Sequence, residues 1–333
     1  VSGSARRSIA LPASALLVAA GVLSVAASAQ PYAISVVGIM VLGAAHVLLA
    51  TRYLAGRVVG AVGESTGWLL AAFVGAMMVV RVASAWSPAL GQRLELIGSM
   101  TIIAIAAWLG LRGRARWLVL AIVVIVAFSS FVHVPWYWHV FSHSHNLIPL
   151  VFLWDWARRH RAGTGLAFTV LNLIWACGIP ALILAGVFDG VINSAAPEFV
   201  SGLIDPAFVL GSAAPPHADP QLAVRFLVSF TYLQLMHYVV WMVFFQVAGR
   251  SEIGALERRF PAIAGWRFGL IVAAISVAIW GVYAFSYIDG RAIYAILGAA
   301  NVYLEQPIAV WVLLAALPAR ATTGLVRRIA ATG

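Results

Sequence analysis

The chain has no lysine, one cysteine and only eleven carboxylates in 333 residues, and each shortage removes a class of chemistry. Without lysine there is no Schiff base, no retinal-linked opsin and no phosphate-binding Walker-A lysine. A single Cys177 excludes an intrachain disulfide, a cysteine-ligated iron–sulfur cluster and a covalently attached c-type haem. Any cofactor must therefore hang on histidine, carboxylate or weaker donors. Charge is scarce too: 10% of residues are charged against 63% hydrophobic, and the mean hydropathy is +0.97. That balance lies far outside the soluble globular range. It predicts an all-α, polytopic integral membrane helical bundle.

What the chain has in abundance is long apolar runs. A window of about 19 residues finds about ten transmembrane helices, at 8–27, 32–54, 68–86, 94–111, 117–134, 136–156, 166–188, 222–247, 268–288 and 292–317. Arginine orients them. With the N-terminus inside, the inner segments carry Arg6, Arg7, Arg52, Arg57, Arg112, Arg114, Arg116, Arg158, Arg159, Arg161, Arg250, Arg258, Arg259, Arg267, Arg320, Arg327 and Arg328. The outside keeps little more than Arg93, Arg225 and Arg291, as the positive-inside rule requires. Arg81, near the outer end of the third span, is expected to snorkel outward. The net charge of +10 thus reads as topology and not as nucleic-acid binding. The expected location is a bacterial-type inner or plasma membrane, with both termini cytoplasmic.

Arg6 and Arg7, an apolar core and Ala27-Ser28-Ala29 also resemble a secretory signal with its cleavage site. The apolar stretch is longer than most signals, so a retained helix is expected; removal would leave nine spans. No linker or repeat divides 1–333, which reads as a single transmembrane domain. The one sizeable extramembrane segment, 189–221, holds Asp189, Glu198, Asp205 and Asp219 and lacks arginine. It is expected outside, capping the bundle.

Five histidines fall in or against these apolar spans: His46, His139, His143, His145 and His237. An ionisable side chain at that depth costs several kcal/mol, so such a cluster is by default a functional-site hypothesis. At ~1.5 Å of rise per residue, His46 and His237 lie at similar depths near the middle of two spans that both run inward. His133 precedes Pro135, which suits the first turn of a new helix, so the sixth helix begins near Trp136. Along it, His139 and His143 are four apart and share a face. His145 is two residues on, roughly 200° around. Either His139 with His143, or His145 with Asn146, therefore faces the bundle interior. An imidazole set of this kind suits iron, copper or zinc, and an open position would admit oxygen or water. A lone intramembrane histidine commonly serves as an interhelical hydrogen-bonding group instead. His133, His160 and His217 read as bystanders.

Among the carboxylates, Glu305 lies deep in the last span, in Asn301-Val-Tyr-Leu-Glu305-Gln306-Pro307. It is a candidate catalytic group as metal ligand, partner of a histidine or proton relay. Asp155, three and four residues before Arg158 and Arg159, reads as a local ion pair.

Three stretches, His46-Val-Leu-Leu-Ala, His139-Val-Phe-Ser-His143-Ser and Met236-His237-Tyr-Val-Val-Trp241, resemble, in order, histidine helices of the Brp/Blh-type membrane β-carotene dioxygenase family. The chain departs from that pattern around Ala44-Ala45-His46 and has no second early histidine between Trp68 and Leu111. The resemblance implies a non-haem iron held by histidines and a carotenoid substrate. Taken together, the expectation is a metal-dependent membrane oxygenase acting on a lipid-soluble, carotenoid or isoprenoid substrate drawn from membrane lipid, with the need for a redox partner open. Two alternatives are a b-type haem carrier with His46 and His237 as axial ligands and a proton-coupled transporter using Glu305 and the histidines.

The arginine distribution yields a direct test. Reporter fusions at Gly63, Arg114 and Gly254 should all report the cytoplasm, and an external signal at any of them would overturn the assigned helix count.

Overall fold

The computed structural model describes residues 2–59, 61–160 and 165–331; Arg161 lies outside the described residues. In chain order the helices are α1 (Ser2–Ala29), α2 (Pro31–Val59), α3 (Glu64–Ala83), α4 (Pro88–Gly110), α5 (Gly113–Val132), α6 (Val134–His145), α7 (Pro149–His160), α8 (Gly165–Leu173) and α9 (Ile179–Leu184). There follow α10 (Glu198–Leu203), α11 (Pro206–Ala213), α12 (Pro220–Val239), α13 (Phe245–Ala248), α14 (Arg250–Arg259), α15 (Trp266–Phe285), α16 (Tyr287–Leu314) and α17 (Gly324–Ala331). Two π-helical turns, Ile174–Gly178 and Val240–Phe244, join α8 to α9 and α12 to α13. Among the described residues there is no strand, only an isolated bridge between Leu111 and Thr322. An all-helical chain is what apolar surroundings demand, because a helix satisfies its own backbone. Starts are marked by local chemistry: Asp219 accepts from the Leu222 amide with Pro220 in the first turn, and Ser286 accepts from the Asp289 amide.

Eight helices among the described residues are long and apolar enough to cross a membrane: α2, 65–83 of α3, α4, α5, Gly165–Leu184, Pro220–Ala248, α15 and α16. The sequence leads to about ten, and one difference has a clear cause. The span expected at 136–156 is two 12-residue helices, α6 and α7, each about 18 Å long against a hydrocarbon layer of about 30 Å. Pro149 has no amide to donate to the His145 carbonyl and crowds it. That carbonyl accepts instead from the Ile148 amide at 3.1 Å, and a run of such i to i−3 bonds turns the chain. In α1, the apolar stretch among residues with described side chains is Ala13–Ala29.

Contacts divide the chain into two compact units whose boundaries fall within helices. The first, Val1–Leu42 with Trp138–Phe244, is organised on α12, which packs against α1, α9 and α11. Tyr232 on this helix and Trp241 in the π-helical turn that follows it are fully buried. Pro180 removes a donor from the helix ahead of it, a π-turn forms there, and the Trp175 carbonyl accepts from the Tyr232 hydroxyl at 2.9 Å. Asp155 accepts from Arg158 at 3.1 Å and Arg159 at 3.0 Å, as its spacing predicts. The segment 189–221 contains α10 and α11 and is tied down by Asp189, which pairs with Arg225 and accepts from Gln221.

In the second unit, Gly43–Tyr137 with Phe245–Gly333, α16 packs against α3, α4 and α15. The α3–α4 hairpin is antiparallel, with Arg81 opposite Glu95, Met77 opposite Gly98 and Ser84 opposite Gly91. At Gly56 a Cβ would collide with the Glu252 carbonyl, so only glycine lets α2 and α14 approach so closely. α5 buries nothing: Val124, Ile125 and Phe128 are all exposed. Each such side chain gives up about 1.5–3 kcal/mol when left in water, so this face fits a lipid environment.

The Asp189–Arg225 pair yields a pH prediction. The Arg225 guanidinium holds the Asp189 carboxyl below the usual carboxylate range, so the pair supports the loop above the ordinary Asp value of about 4. That support is lost as pH falls through the depressed value. Amide exchange over 186–193 should be faster in Asp189→Asn than in wild type at pH 7, the wild type losing protection only in acid. Equal protection of both proteins at pH 7 would sink the assignment.

Candidate functional site

In the first unit, α6 carries His139 and His143 one turn apart, with ring centroids 4.7 Å from one another. Both rings meet Phe226 edge-on, at 5.2 and 5.7 Å, and His143 also meets Phe230 at 5.3 Å. The His143 Nε2–H donates to the Ala213 carbonyl of α11 at 2.8 Å, which leaves the lone pair on Nδ1. Two residues further, where the chain bends ahead of Pro149, the His145 ring lies 4.8 Å from that of His237, tilted by 49°. Phe226, Phe230 and His237 stand at i, i+4 and i+11 on one face of α12. The rings of His139, His143 and His145 thus all meet this face of α12.

His237 is 1% exposed. Tyr238 and Trp241 pack edge-on to it at 6.1 and 6.3 Å. The π-helical turn Val240–Phe244 begins three residues later, an irregularity found frequently at functional sites. Asn146, beside His145, is buried, and its amide nitrogen has no hydrogen-bond partner among the described residues. It is a donor left for a bound water or an oxygen-bearing ligand.

The pairs can be tested against a metal ion. Two imidazoles bound at about 2.1 Å with a roughly tetrahedral opening set their centroids on the order of 5 Å apart, and both observed pairs match that spacing. Among the described residues, no group of three or more His, Cys, Asp or Glu side chains is placed to hold a metal. Each cluster is therefore a two-histidine grip, and an ion in it would draw its other ligands from other donors.

The second unit contains His46 and Glu305. His46 is 3% exposed, and its Nδ1–H donates to the Gly43 carbonyl at 2.7 Å. That bond selects the tautomer with the lone pair on Nε2, the arrangement a metal-ligating histidine uses. Glu305 is fully buried on α16. Two contacts set the register between α2 and α16: Gly43 against Tyr294, and Thr51 hydrogen-bonded to Asn301 at 3.3 Å. The helices run parallel, and by that register Glu305 sits about 13 Å further along the axis than His46. Glu305 instead shares a helical turn with Tyr303 and Gln306.

Those two residues belong to a polar cluster the sequence reading missed. Glu95 of α4, 1% exposed, pairs with Arg81 of α3 at 2.5 Å and accepts from the Tyr303 hydroxyl at 3.3 Å. Ser99 donates to Gln306 at 3.1 Å. Arg81 therefore does not simply snorkel, because a buried carboxylate opposite it holds its head inward. The signal was present in the chain: Arg81 and Glu95 are each seven residues from Pro88, so a hairpin turning there brings them together.

The remaining histidines are peripheral. His133 and His217 are exposed, and exposed His160 stacks on Trp156 at 5.4 Å and donates to its carbonyl at 3.0 Å. Compared with known proteins, the chain matches no family model, no curated protein and no solved structure.

Proposed function

We propose that this chain is a membrane-embedded, metal-dependent oxygenase whose histidines hold a non-haem iron beside a lipid-soluble, carotenoid or isoprenoid substrate. The observation that carries the reading is the ring pair of half-buried His145 and buried His237 at 4.8 Å. His46, with its tautomer set by Gly43, supports the same chemistry. When bound, iron would supply open positions for oxygen. The chain's own part is to exclude water with Trp241 and Tyr238, to orient the rings, and to offer the Asn146 amide as a donor to an oxygen-bearing ligand. The rings of His145, Tyr238 and Trp241 crowd His237, which favours a compact ion over a porphyrin. The membrane is a bacterial-type inner or plasma membrane, with both termini cytoplasmic.

A second reading, proton-coupled transport, draws on the Arg81–Glu95 pair with Tyr303 and on buried Glu305, since intramembrane acids paired in this way mark ion pathways. Metal content separates the two. The purified protein should contain iron and lack a Soret band. Replacement of His145 or His237 by alanine should lower bound iron more than tenfold, while His160→Ala and His217→Ala retain it. Equal metal content in all four variants would end the metal reading. With iron present, carotenoid fed to expressing cells should be lost as retinal appears; iron without pigment loss would reject the carotenoid assignment alone.

A further inference from the structure

Many of the chain's arginines are neutralised from within. Arg158 and Arg159 hold Asp155, Arg225 holds Asp189, and Arg81 holds Glu95. Arg52 holds Glu257, whose carboxyl is kept below the usual carboxylate range first by the Gly265 amide and then by Arg52. One corner of the second unit is different. The stretches 108–118 and 315–333 contain six arginines and no Asp or Glu.

The fold sews these two stretches together. The Arg112 amide donates to the Ala321 carbonyl and the Thr323 amide to the Gly110 carbonyl, both at 2.9 Å, while the Thr323 hydroxyl donates to Leu109 at 2.7 Å. Gly113, at φ +56°, turns the chain from α4 into α5 in a conformation that disfavours a side chain. α17 seats fully buried Val326 and Ile329 and leaves Arg327 and Arg328 exposed. Two of the six guanidinium groups are engaged. Arg116 bonds to the Leu111 carbonyl and lies over the Trp108 ring at 4.3 Å; Arg328 donates to the Ala61 carbonyl at 3.0 Å.

Arg112, Arg114, Arg320 and Arg327 are exposed, and among the described residues they make no side-chain hydrogen bond or ion pair. They stand where the apolar helices α4, α5 and α16 end, beside exposed Trp117 and Leu317, at the level of a headgroup layer. We propose that this corner is a binding surface for anionic phospholipid headgroups. Four unneutralised cations recognise the lipid's net negative charge, and the exposed apolar face of α5 beside them accepts its acyl chains. A free phosphate or a nucleic acid would meet the cations but gain nothing from α5.

The test uses the full chain in phosphatidylcholine nanodiscs with increasing phosphatidylglycerol, read by thermal midpoint, and native mass spectrometry of retained lipid. Phosphatidylglycerol should be retained and stabilising where phosphatidylcholine is not. Its apparent affinity should fall roughly tenfold or more in the combined variant R112Q/R114Q/R320Q/R327Q, and likewise in wild type when salt rises from about 0.15 to 1 M. The corresponding four-lysine variant should keep the preference. Equal retention of both lipids by wild type, or an unchanged preference in the glutamine variant, would overturn the proposal. So would competition by inorganic phosphate or duplex DNA as effective as the lipid. If the glutamine variant does not insert, the wild-type salt titration decides: a preference insensitive to salt overturns it. None of these readouts depends on a metal.

Discussion

In an apolar environment a polar group must find its partner inside the protein, and most features of this molecule follow from that constraint. Its first consequence is the helix itself; its second shows at two helix irregularities, where the freed backbone carbonyl finds an identifiable donor. Pro149 sends the His145 carbonyl to the Ile148 amide, and the π-turn ahead of Pro180 sends the Trp175 carbonyl to Tyr232. These departures from regular helix are local, and the one at Pro149 turns the chain directly after His145.

The same constraint sorts the ionisable side chains. Asp155 finds its arginines within one helical turn, whereas Glu95 needs the α3–α4 hairpin to meet Arg81 and α16 to bring Tyr303. Breaking such a buried pair leaves a charge with no water to receive it, which is far costlier than the loss of an exposed ion pair. The histidines resolve the problem differently. His46 and His143 each donate one ring N–H to a backbone carbonyl, and each keeps a lone pair on the other nitrogen. That is compatible with neutral imidazole and with ligand chemistry alike.

The unneutralised arginines at the α4–α5 corner contrast with both patterns. They do not need an internal partner because they stand where the apolar spans end, and their surroundings can supply the counter-charge. Asp155, Asp189, Glu95 and Glu257 are spent on arginines elsewhere, and the stretches that form this corner contain no Asp or Glu.

By itself the sequence determined the helical class, most span positions, the local Asp155 pairs and the shared face of His139 and His143, because hydropathy and the 3.6-residue period act over short range. It also located the bend in potential, since Pro149 is visible, but not that the bend would divide one long apolar run into α6 and α7. Tertiary structure alone decided that His145 meets His237, that Tyr303 joins Glu95, and that Glu305 stands about 13 Å along the axis from the level of His46. Each depends on the register between helices distant in sequence. That register is set by close contacts such as Gly43 on Tyr294 and Thr51 on Asn301, and no local property of either partner encodes it.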